Sequence, residues 1–465
     1  MVGDKKMKLS KFAKQFKFND TIAYYNSLRM KPVYLTQNEN IELSNYLSGK
    51  TQIINKELFN TLNEYKILVN STEEDDNMLL KVRNTVTEPY INVAYFVLSE
   101  QCNMACKYCF LGNNKMTSNK VTNYPMTKEI ALAALKYFAA QTRNNKFYFN
   151  ERKEIIFYGG EPLLNFETLV YIINQCKIMQ LNGDISPNIN FSMVTNGLLL
   201  DAEKINFLKE HDINISISID GLDEQSNANR IDKNGNSVYQ RIIETIELLN
   251  KMDMSFGLSI TLTNEAMTSV HKTIELAKKY NISNISFNIL YQTKELRLND
   301  DYYKKATEFI IEFYKLAREN CIYEDRIMRK IKAFSNEEFY FFDCAATSAN
   351  QIVITPDGGV GICHGCMEHR KYFLSNVFEP SVDICMNETF KSWQTFSPIY
   401  KEQCLDCECL GLCGGGCAIN AGILNSKNIN TIIDRGFCIF AKSILKFMIY
   451  DLYNIMLKEG YSNAK

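Results

Sequence analysis

Residues 90–109 read YINVAYFVLSEQCNMACKYC. The stretch INVAYFVLS has the β-branched and aromatic content of a buried strand. It runs directly into Cys102, Cys106 and Cys109, a C-x3-C-x2-C triplet. Three thiolates at that spacing hold three irons of a cubane [4Fe–4S] cluster and leave the fourth iron open, whereas a closed structural site takes four ligands. An open iron is a place to bind and activate something. The plainer readings are three core cysteines or an incomplete zinc site, and the tight loop spacing weighs against both.

Outward from that segment, from Tyr90 to about Asn320, apolar strands alternate with amphipathic helices. The strands are INVAYFVLS, EIIFYGG, NINFSMVTNG, INISISIDG, SFGLSITLTN and ISNISFNIL. Stretches such as TKEIALAALKYFAAQ, FETLVYIINQCKIMQ and VYQRIIETIELLNKM supply the helices. Regular strand–helix alternation requires a parallel sheet, because each return crossover buries a helix on it. Six such units fit the α/β class as a partial (β/α)6 barrel, with an open doubly wound sheet as the alternative. Functional residues then belong just after strand C-termini, where three polar motifs stand: Gly159-Gly160-Glu161-Pro162, Thr195-Asn196-Gly197, and Ser218-Ile219-Asp220-Gly221 followed by Arg230. Glycines let backbone amides approach a ligand, Glu161 can accept from an ammonium group, and Ser218 with Arg230 can converge on a carboxylate. Singly, each is an ordinary turn, surface serine or solvated arginine; together with the triplet they describe a ligand site.

The triplet, with aromatic Tyr108 just before its last cysteine, resembles the signature of radical S-adenosylmethionine enzymes. The resemblance implies that Cys102, Cys106 and Cys109 hold the catalytic cluster and that S-adenosylmethionine is cleaved to a 5′-deoxyadenosyl radical. It further implies Tyr108 on the adenine side, Gly160 and Glu161 at the methionine amino group, and Ser218 and Arg230 at its carboxylate. Gly159, Asn196 and Asp220 complete the expected site; Leu290 packs on adenine or is plain core. Relatives often carry a His-Asp pair before the arginine, where this chain has Ser226-Asn227, so that loop inherits no role.

Ten of the fifteen cysteines fall from Cys344 onward. Cys344-x13-Gly358-x4-Cys363, Cys404-x2-Cys407-x5-Cys413-x3-Cys417 and Cys438 are similar in spacing to the SPASM domain of radical S-adenosylmethionine peptide-modifying enzymes, which carries two auxiliary clusters. A zinc ribbon is the competing reading of 404–417. Carried over by position, Cys344, Cys363 and Cys417 hold the first auxiliary cluster and Cys404, Cys407, Cys413 and Cys438 the second. Three [4Fe–4S] clusters are therefore expected. The first auxiliary cluster lacks a fourth ligand: some relatives have an extra cysteine near the position of Glu338, and Cys366, Cys409 or a substrate thiol is left to complete it. His364, beside Cys363, is placed to tune the cluster; Cys176, Cys321, Cys385 and Trp393 read as packing residues.

Residues 1–88 read as a winged-helix-like module: TIAYYNSL and MKPVYLTQ as a hairpin, NENIELSNYLSG and NKELFNTLNEYKIL as helices, and acidic STEEDDN at 71–77 as a loop. The module resembles the leader-peptide recognition element of ribosomal-peptide maturases. Domains are expected at 1–88, 89–320 and 321–465, in line with about 150 residues per domain. With 52 Lys+Arg against 53 Asp+Glu, a formal charge of −1, no global field recruits nucleic acid or an anionic membrane. No secretory h-region and no apolar stretch of about 18 residues occurs, so a cytoplasmic location is expected. Cysteines without an export signal point to metal or redox chemistry rather than disulfides. The function expected is radical S-adenosylmethionine maturation of a ribosomally made precursor peptide bound through its leader, most simply by thioether formation at cysteine, with a flavodoxin- or ferredoxin-type reductant. The rivals are an anaerobic sulfatase-maturating enzyme, whose family places Asp where His364 stands, and a non-catalytic iron–sulfur electron carrier or zinc-binding adaptor.

Overall fold

The computed structural model describes residues 6–51, 55–111, 124–144, 147–292, 296–426 and 428–459. In the N-terminal region, β1 (Lys8–Leu9) pairs antiparallel with β5 (Leu68–Val69), and β2 (Ala13–Phe18), β3 (Thr21–Asn26) and β4 (Pro32–Leu35) form an antiparallel sheet. Helices α1 (Gln37–Ser48), α2 (Lys56–Glu64) and α3 (Thr72–Arg83) accompany them. The expected loop at 71–77 is instead the start of α3. Ser71 caps it by accepting from the Glu74 amide, and Glu73, Glu74 and Asp75 place negative charge in the first turn, where it complements the helix dipole. Asp75 is fully buried and accepts from Ser10 Oγ (2.6 Å) and the Lys11 amide (3.0 Å), so an acidic run that looks solvated holds the turn between β1 and β2 in place.

The barrel strands are β6 (Val93–Ser99), β7 (Lys153–Gly159), β8 (Ile189–Thr195), β9 (Asn214–Ser218), β10 (Phe256–Thr261) and β11 (Asn284–Asn288). They alternate with α4 (Lys128–Arg143), α5 (Phe166–Leu181), α6 (Ala202–Glu210), α7 (Tyr239–Lys251) and α8 (Val270–Lys279). Each strand is parallel to the next, in sequence order. β6 and β11 do not pair, so the barrel stays open; β11 is followed in the sheet by β12 (Tyr323–Glu324), and β6 by β13 (Gln351–Ile354), β14 (Gly359–Gly361) and β15 (Phe373–Asn376). The cysteine-rich segment thus extends the sheet of the barrel. α9 (Asp300–Glu319) and α10 (Asp325–Ser335) precede it, α11 (Glu388–Ser392) lies within it, and α12 (Arg435–Lys458), the last helix among the described residues, packs on α9.

Strand alternation separates two faces. Phe96, Ile155, Phe157, Ile217, Ile285 and Phe287 are fully buried in the main core. Their neighbours Tyr95, Glu154, Tyr158, Ser192, Ser216 and Ser259 face inward and line a cavity. Trp393 is buried against Tyr372, as a packing residue should be, and Cys176 is buried. Cys321, expected in packing, is exposed: it stands at φ 56° in the turn after α9, where its side chain leaves the core. The N-terminal sheet is docked on the rest of the chain. Tyr34 donates to the Ile449 carbonyl (2.7 Å), Tyr25 stacks on Phe334, and Phe18 meets Tyr450 and Tyr453 edge-on. Among the described residues no helix is long and apolar enough to cross a membrane.

Candidate active site

β6 delivers the cysteine triplet to the mouth of the barrel, and two glycines at the end of β7 permit it. Gly160 N–H donates to the Ser99 carbonyl (2.8 Å), and Glu161 N–H to the Gln101 carbonyl (2.9 Å). A Cβ on Gly159, at φ +145°, would lie 2.1 Å from the Ser99 oxygen, and one on Gly160 would lie 2.3 Å from the Gln101 oxygen. Beyond Cys102 the loop is pinned to the segment around Arg230: Ala105 and Lys107 amides donate to the Ile231 and Asn229 carbonyls at 2.8 and 2.9 Å.

That pinning brings Tyr108, Asp220 and Arg230 together although they are far apart in sequence. Tyr108 donates to Asp220 Oδ2 (2.6 Å), Arg230 Nη1 donates to the Tyr108 oxygen (2.7 Å), and Arg230 lies 3.4 Å from Asp220 Oδ1. Burial raises the Asp220 carboxyl despite the guanidinium beside it. Burial likewise holds the Tyr108 hydroxyl well above its ordinary range, so it stays a neutral donor. Arg230 Nε is buried with no acceptor in the protein, a donor that fits an incoming carboxylate. Ser218 lines the same cavity, as does Leu290, whose amide donates to Tyr302 Oη (3.0 Å). Asn227 accepts from the Asp220 amide and donates to the Gly221 and Asp223 carbonyls, so the departure at 226–227 is a structural clamp on the Asp220 loop.

The Glu161 carboxylate is 1% exposed and accepts from Thr195 Oγ1 (2.7 Å), the Asn196 amide (2.9 Å) and the Leu163 amide (3.0 Å). It ties the ends of β7 and β8 together. Burial raises its carboxyl, with those three donors pulling the other way. Asn196 in turn donates to Asn103 Oδ1 (2.7 Å), inside the triplet loop.

The C-terminal cysteines fall into two groups. Burial first, then Cys363, pushes the Cys344 thiol up to about 12; the Cys417 thiol is raised well above its usual range by burial and, further down, by Cys363 and Cys344. In the other group burial raises Cys404, with Cys407 adding to it. Burial, then Cys404 and Cys407, pushes Cys438 up to about 11, and Cys413 is raised by burial with Cys438 and Cys407 contributing. The Cys366 amide donates to the Cys363 carbonyl (3.0 Å) and the Cys409 amide to Cys407 Sγ (3.5 Å), so each of the two unassigned cysteines stands in a different group. Buried thiols that repel one another in this way favour a polycationic centre that takes up thiolate charge. Among the described residues no group of three His, Cys, Asp or Glu side chains could hold a single metal ion. A cubane, which offers each thiolate its own iron, suits this donor set better than one zinc.

A single cavity of about 1450 Å³ joins the triplet to Cys344 and Cys417. Its middle is an aromatic box that the sequence reading missed. Tyr95, Tyr158 and Phe110 pack around His364, with ring centroids 5.0, 5.1 and 5.8 Å away, and Tyr291 Oη lies 3.4 Å from His364 Nε2. His364 Nδ1 has no partner, and burial lowers the imidazolium pKa to about 4, leaving a neutral ring. Period-two alternation on β6 and β7 was the available signal, since Tyr95 and Tyr158 share the inward face with Glu154.

Residues 96–277 match the radical SAM superfamily. The barrel from β6 to α8 is thus radical-SAM-like, and a SPASM-like, cysteine-rich region follows it. It is 25% identical to the radical SAM cyclopropyl synthase TigE of Paramaledivibacter caminithermalis over 98% of each chain. It is also 25% identical to a cysteine-type anaerobic sulfatase-maturating enzyme of Clostridium perfringens, over 77% of this chain and 96% of that one. The fold matches native anSMEcpe with bound AdoMet (TM-score 0.64, 19% identity, 78% of this chain and 99% of that). It also matches Streptococcus suis SuiB bound to its precursor peptide SuiA (TM-score 0.53, 16% identity, 92% and 99%).

Proposed function

We propose that this enzyme matures a ribosomally made precursor peptide by crosslinking it. One observation carries the reading: the cavity that begins at the triplet continues to Cys344 and Cys417 and, at about 1450 Å³, exceeds the roughly 300–1,000 Å³ typical of a small-ligand site. It has room for a peptide segment beside a cofactor. The likeness in fold to SuiB, solved with precursor peptide SuiA and matched over 92% of this chain, supports a precursor peptide as substrate.

In this reading Cys102, Cys106 and Cys109 hold a [4Fe–4S] cluster that, when bound, supplies the electron for reductive cleavage of S-adenosylmethionine. The protein orients and shields. Arg230 and Ser218 hold the carboxylate of the cofactor, Tyr108 and Asp220 fix the guanidinium, and the Gly159-Gly160 backbone lies open to its amino group. Asn196 steadies the triplet loop, and Leu290 closes the adenine side. The precursor leader adds a strand to the free edge of β2, the half-exposed outer strand of the N-terminal sheet. A flavodoxin- or ferredoxin-type protein supplies the electrons.

Two bonds are in question. A thioether is made most simply if a substrate thiolate takes an open iron at Cys344, Cys363 and Cys417. The thiol pair Cys363–Cys366 favours the second reading, carbon–carbon closure: Cys366 is fully buried beside a ligand of that group and can close it, whereas Cys409 belongs to the other group. The test is mass spectrometry of the precursor made with and without the enzyme, followed by thiol alkylation. A product two hydrogens lighter with every cysteine alkylatable rules out the thioether and leaves a carbon–carbon or carbon–oxygen crosslink. Loss of one alkylatable cysteine establishes the thioether, and an unchanged precursor removes the peptide-maturase reading.

A further inference from the structure

Charge around the two C-terminal cysteine groups is distributed unequally. Lys330 is 1% exposed; its ammonium donates to Asp343 Oδ1 (2.9 Å) and the Cys413 carbonyl (2.6 Å) and lies 3.7 Å above the Tyr340 ring. Asp343 immediately precedes Cys344, so this buried ion pair spans both groups, with its positive end at Cys413 and its negative end at Cys344. Asp434 adds a second carboxylate, whose Oδ2 accepts from the Cys417 amide (3.0 Å) on the first side, while its backbone carbonyl accepts from the Cys438 amide (3.0 Å) on the second. Arg329 answers part of that charge by donating to the Asp343 carbonyl (2.9 Å), and it pairs with Asp325 as well.

Lys401 is the sharper case. It is 3% exposed, donates to the Ile429 carbonyl (2.7 Å) and lies 4.7 Å over the Phe396 ring. Its carbonyl accepts from the Cys404 amide (2.9 Å), which sets it one turn before the second cysteine group; burial lowers the ammonium pKa to about 8, with Cys404 pulling the other way. At the second group, the Glu408 carboxylate stands 3.7 Å from Cys407 Sγ and is itself paired with Lys442 (3.3 Å). An ammonium buried against a carbonyl and a ring is unfavourable unless a lasting negative charge stands nearby. Four thiolates on an iron–sulfur cluster are such a charge.

We propose that Lys401 is a positioning charge for the second auxiliary cluster: it offsets the thiolates of Cys404, Cys407, Cys413 and Cys438 and raises that cluster's reduction potential above that of the cluster at Cys344, Cys363 and Cys417. The inference rests on the reading of both groups as cluster sites. One electron leaving the first cluster then reduces the second by one, and the Lys330–Asp343 ion pair, oriented the same way, reinforces the direction. Net charge near a cluster is among the factors that set its potential.

The test is an anaerobic redox titration of the reconstituted full-length enzyme, followed by electron paramagnetic resonance, with iron content measured on the same samples. Lys401→Met should lower one couple by at least a tenfold change in its equilibrium, 59 mV for one electron, and leave the others in place. That couple should be the one lost in the Cys404→Ala, Cys407→Ala double variant, and Lys401→Arg should restore it. Lys401→Gln, which keeps a donor for the Ile429 carbonyl, should behave like the Met variant if the latter loses iron. Full iron content with every couple unmoved in both neutral variants overturns the inference alone. A wild-type chain that binds iron for the triplet cluster only overturns the underlying assignment and the inference with it.

Discussion

Replacing Gly160 with alanine tests whether the triplet depends on the close approach of β7. The new Cβ would stand 2.3 Å from the Gln101 oxygen, 2.5 Å from the Gln101 carbonyl carbon and 2.8 Å from the Glu100 oxygen. All three are backbone atoms, so no side-chain rotation relieves the overlap. Restoring ordinary contact, which lies near 3.5 Å, moves the 100–101 peptide by about 1 Å. Overpacking of this kind costs about 1–3 kcal/mol, and the Gly160–Ser99 and Glu161–Gln101 hydrogen bonds at risk contribute about 0.5–1.5 kcal/mol each. Cys102 follows Gln101 directly, and a misplacement of about 1 Å near a reacting centre can cost about 100-fold in rate. The assay is 5′-deoxyadenosine formation in anaerobically reconstituted enzyme, with Gly183→Ala as the control: at φ +71° alanine strains the turn after α5, but its Cβ meets nothing within 4 Å. The expected result is a loss of about 100-fold for Gly160→Ala and little change in rate for Gly183→Ala. A Gly160→Ala enzyme with wild-type rate and iron content would refute the reasoning.

Replacing Cys102, Cys106 and Cys109 with alanine should abolish 5′-deoxyadenosine formation and reduce iron from about twelve per chain, four per cubane, to about eight; iron assay and chromatography check both. Arg230→Lys removes the fork that meets Tyr108, and Tyr108→Phe removes the hydroxyl shared with Asp220. Each should weaken S-adenosylmethionine binding by about 1.5–3 kcal/mol, measured by equilibrium dialysis, and unchanged affinity in both would displace the carboxylate site. The Phe12 carbonyl accepts from the Ser27 amide, so Gln15 falls at a position whose amide faces away from β3. Gln15→Pro should therefore weaken leader binding without unpairing the sheet, as fluorescence anisotropy of a labelled leader would report. Deleting residues 1–88 is a poorer test, because it uncovers Phe334, Ile399 and Leu410.

The strand order and the gathering of the C-terminal cysteines were legible because spacing carries them: period-two runs separated by helices dictate a parallel sheet, and cysteine intervals are set by loop geometry. Composition misled at 71–77, where charge that looked like solvated loop is a capped helix start with Asp75 buried in it. The aromatic box around His364 was hidden for another reason. Tyr95 and Tyr158 look like ordinary strand residues, and only the side of the sheet they face separates core from cavity. Lys330 and Lys401 were equally silent, since nothing local marks a lysine as buried. Their meaning depends on partners such as Asp343 and Cys404, which the fold brings to them.

The most direct test of the central claim, that the radical generated at the triplet acts on a peptide, is isotope transfer. The precursor peptide is prepared with deuterated side chains and incubated anaerobically with enzyme, S-adenosylmethionine and a reductant, and the 5′-deoxyadenosine is analysed by mass spectrometry. The account requires deuterium in the 5′-deoxyadenosine in step with loss of two hydrogens from the peptide. Unlabelled 5′-deoxyadenosine with an unchanged precursor, together with deuterium transfer from a sulfatase-derived peptide whose cysteine becomes formylglycine, would contradict it.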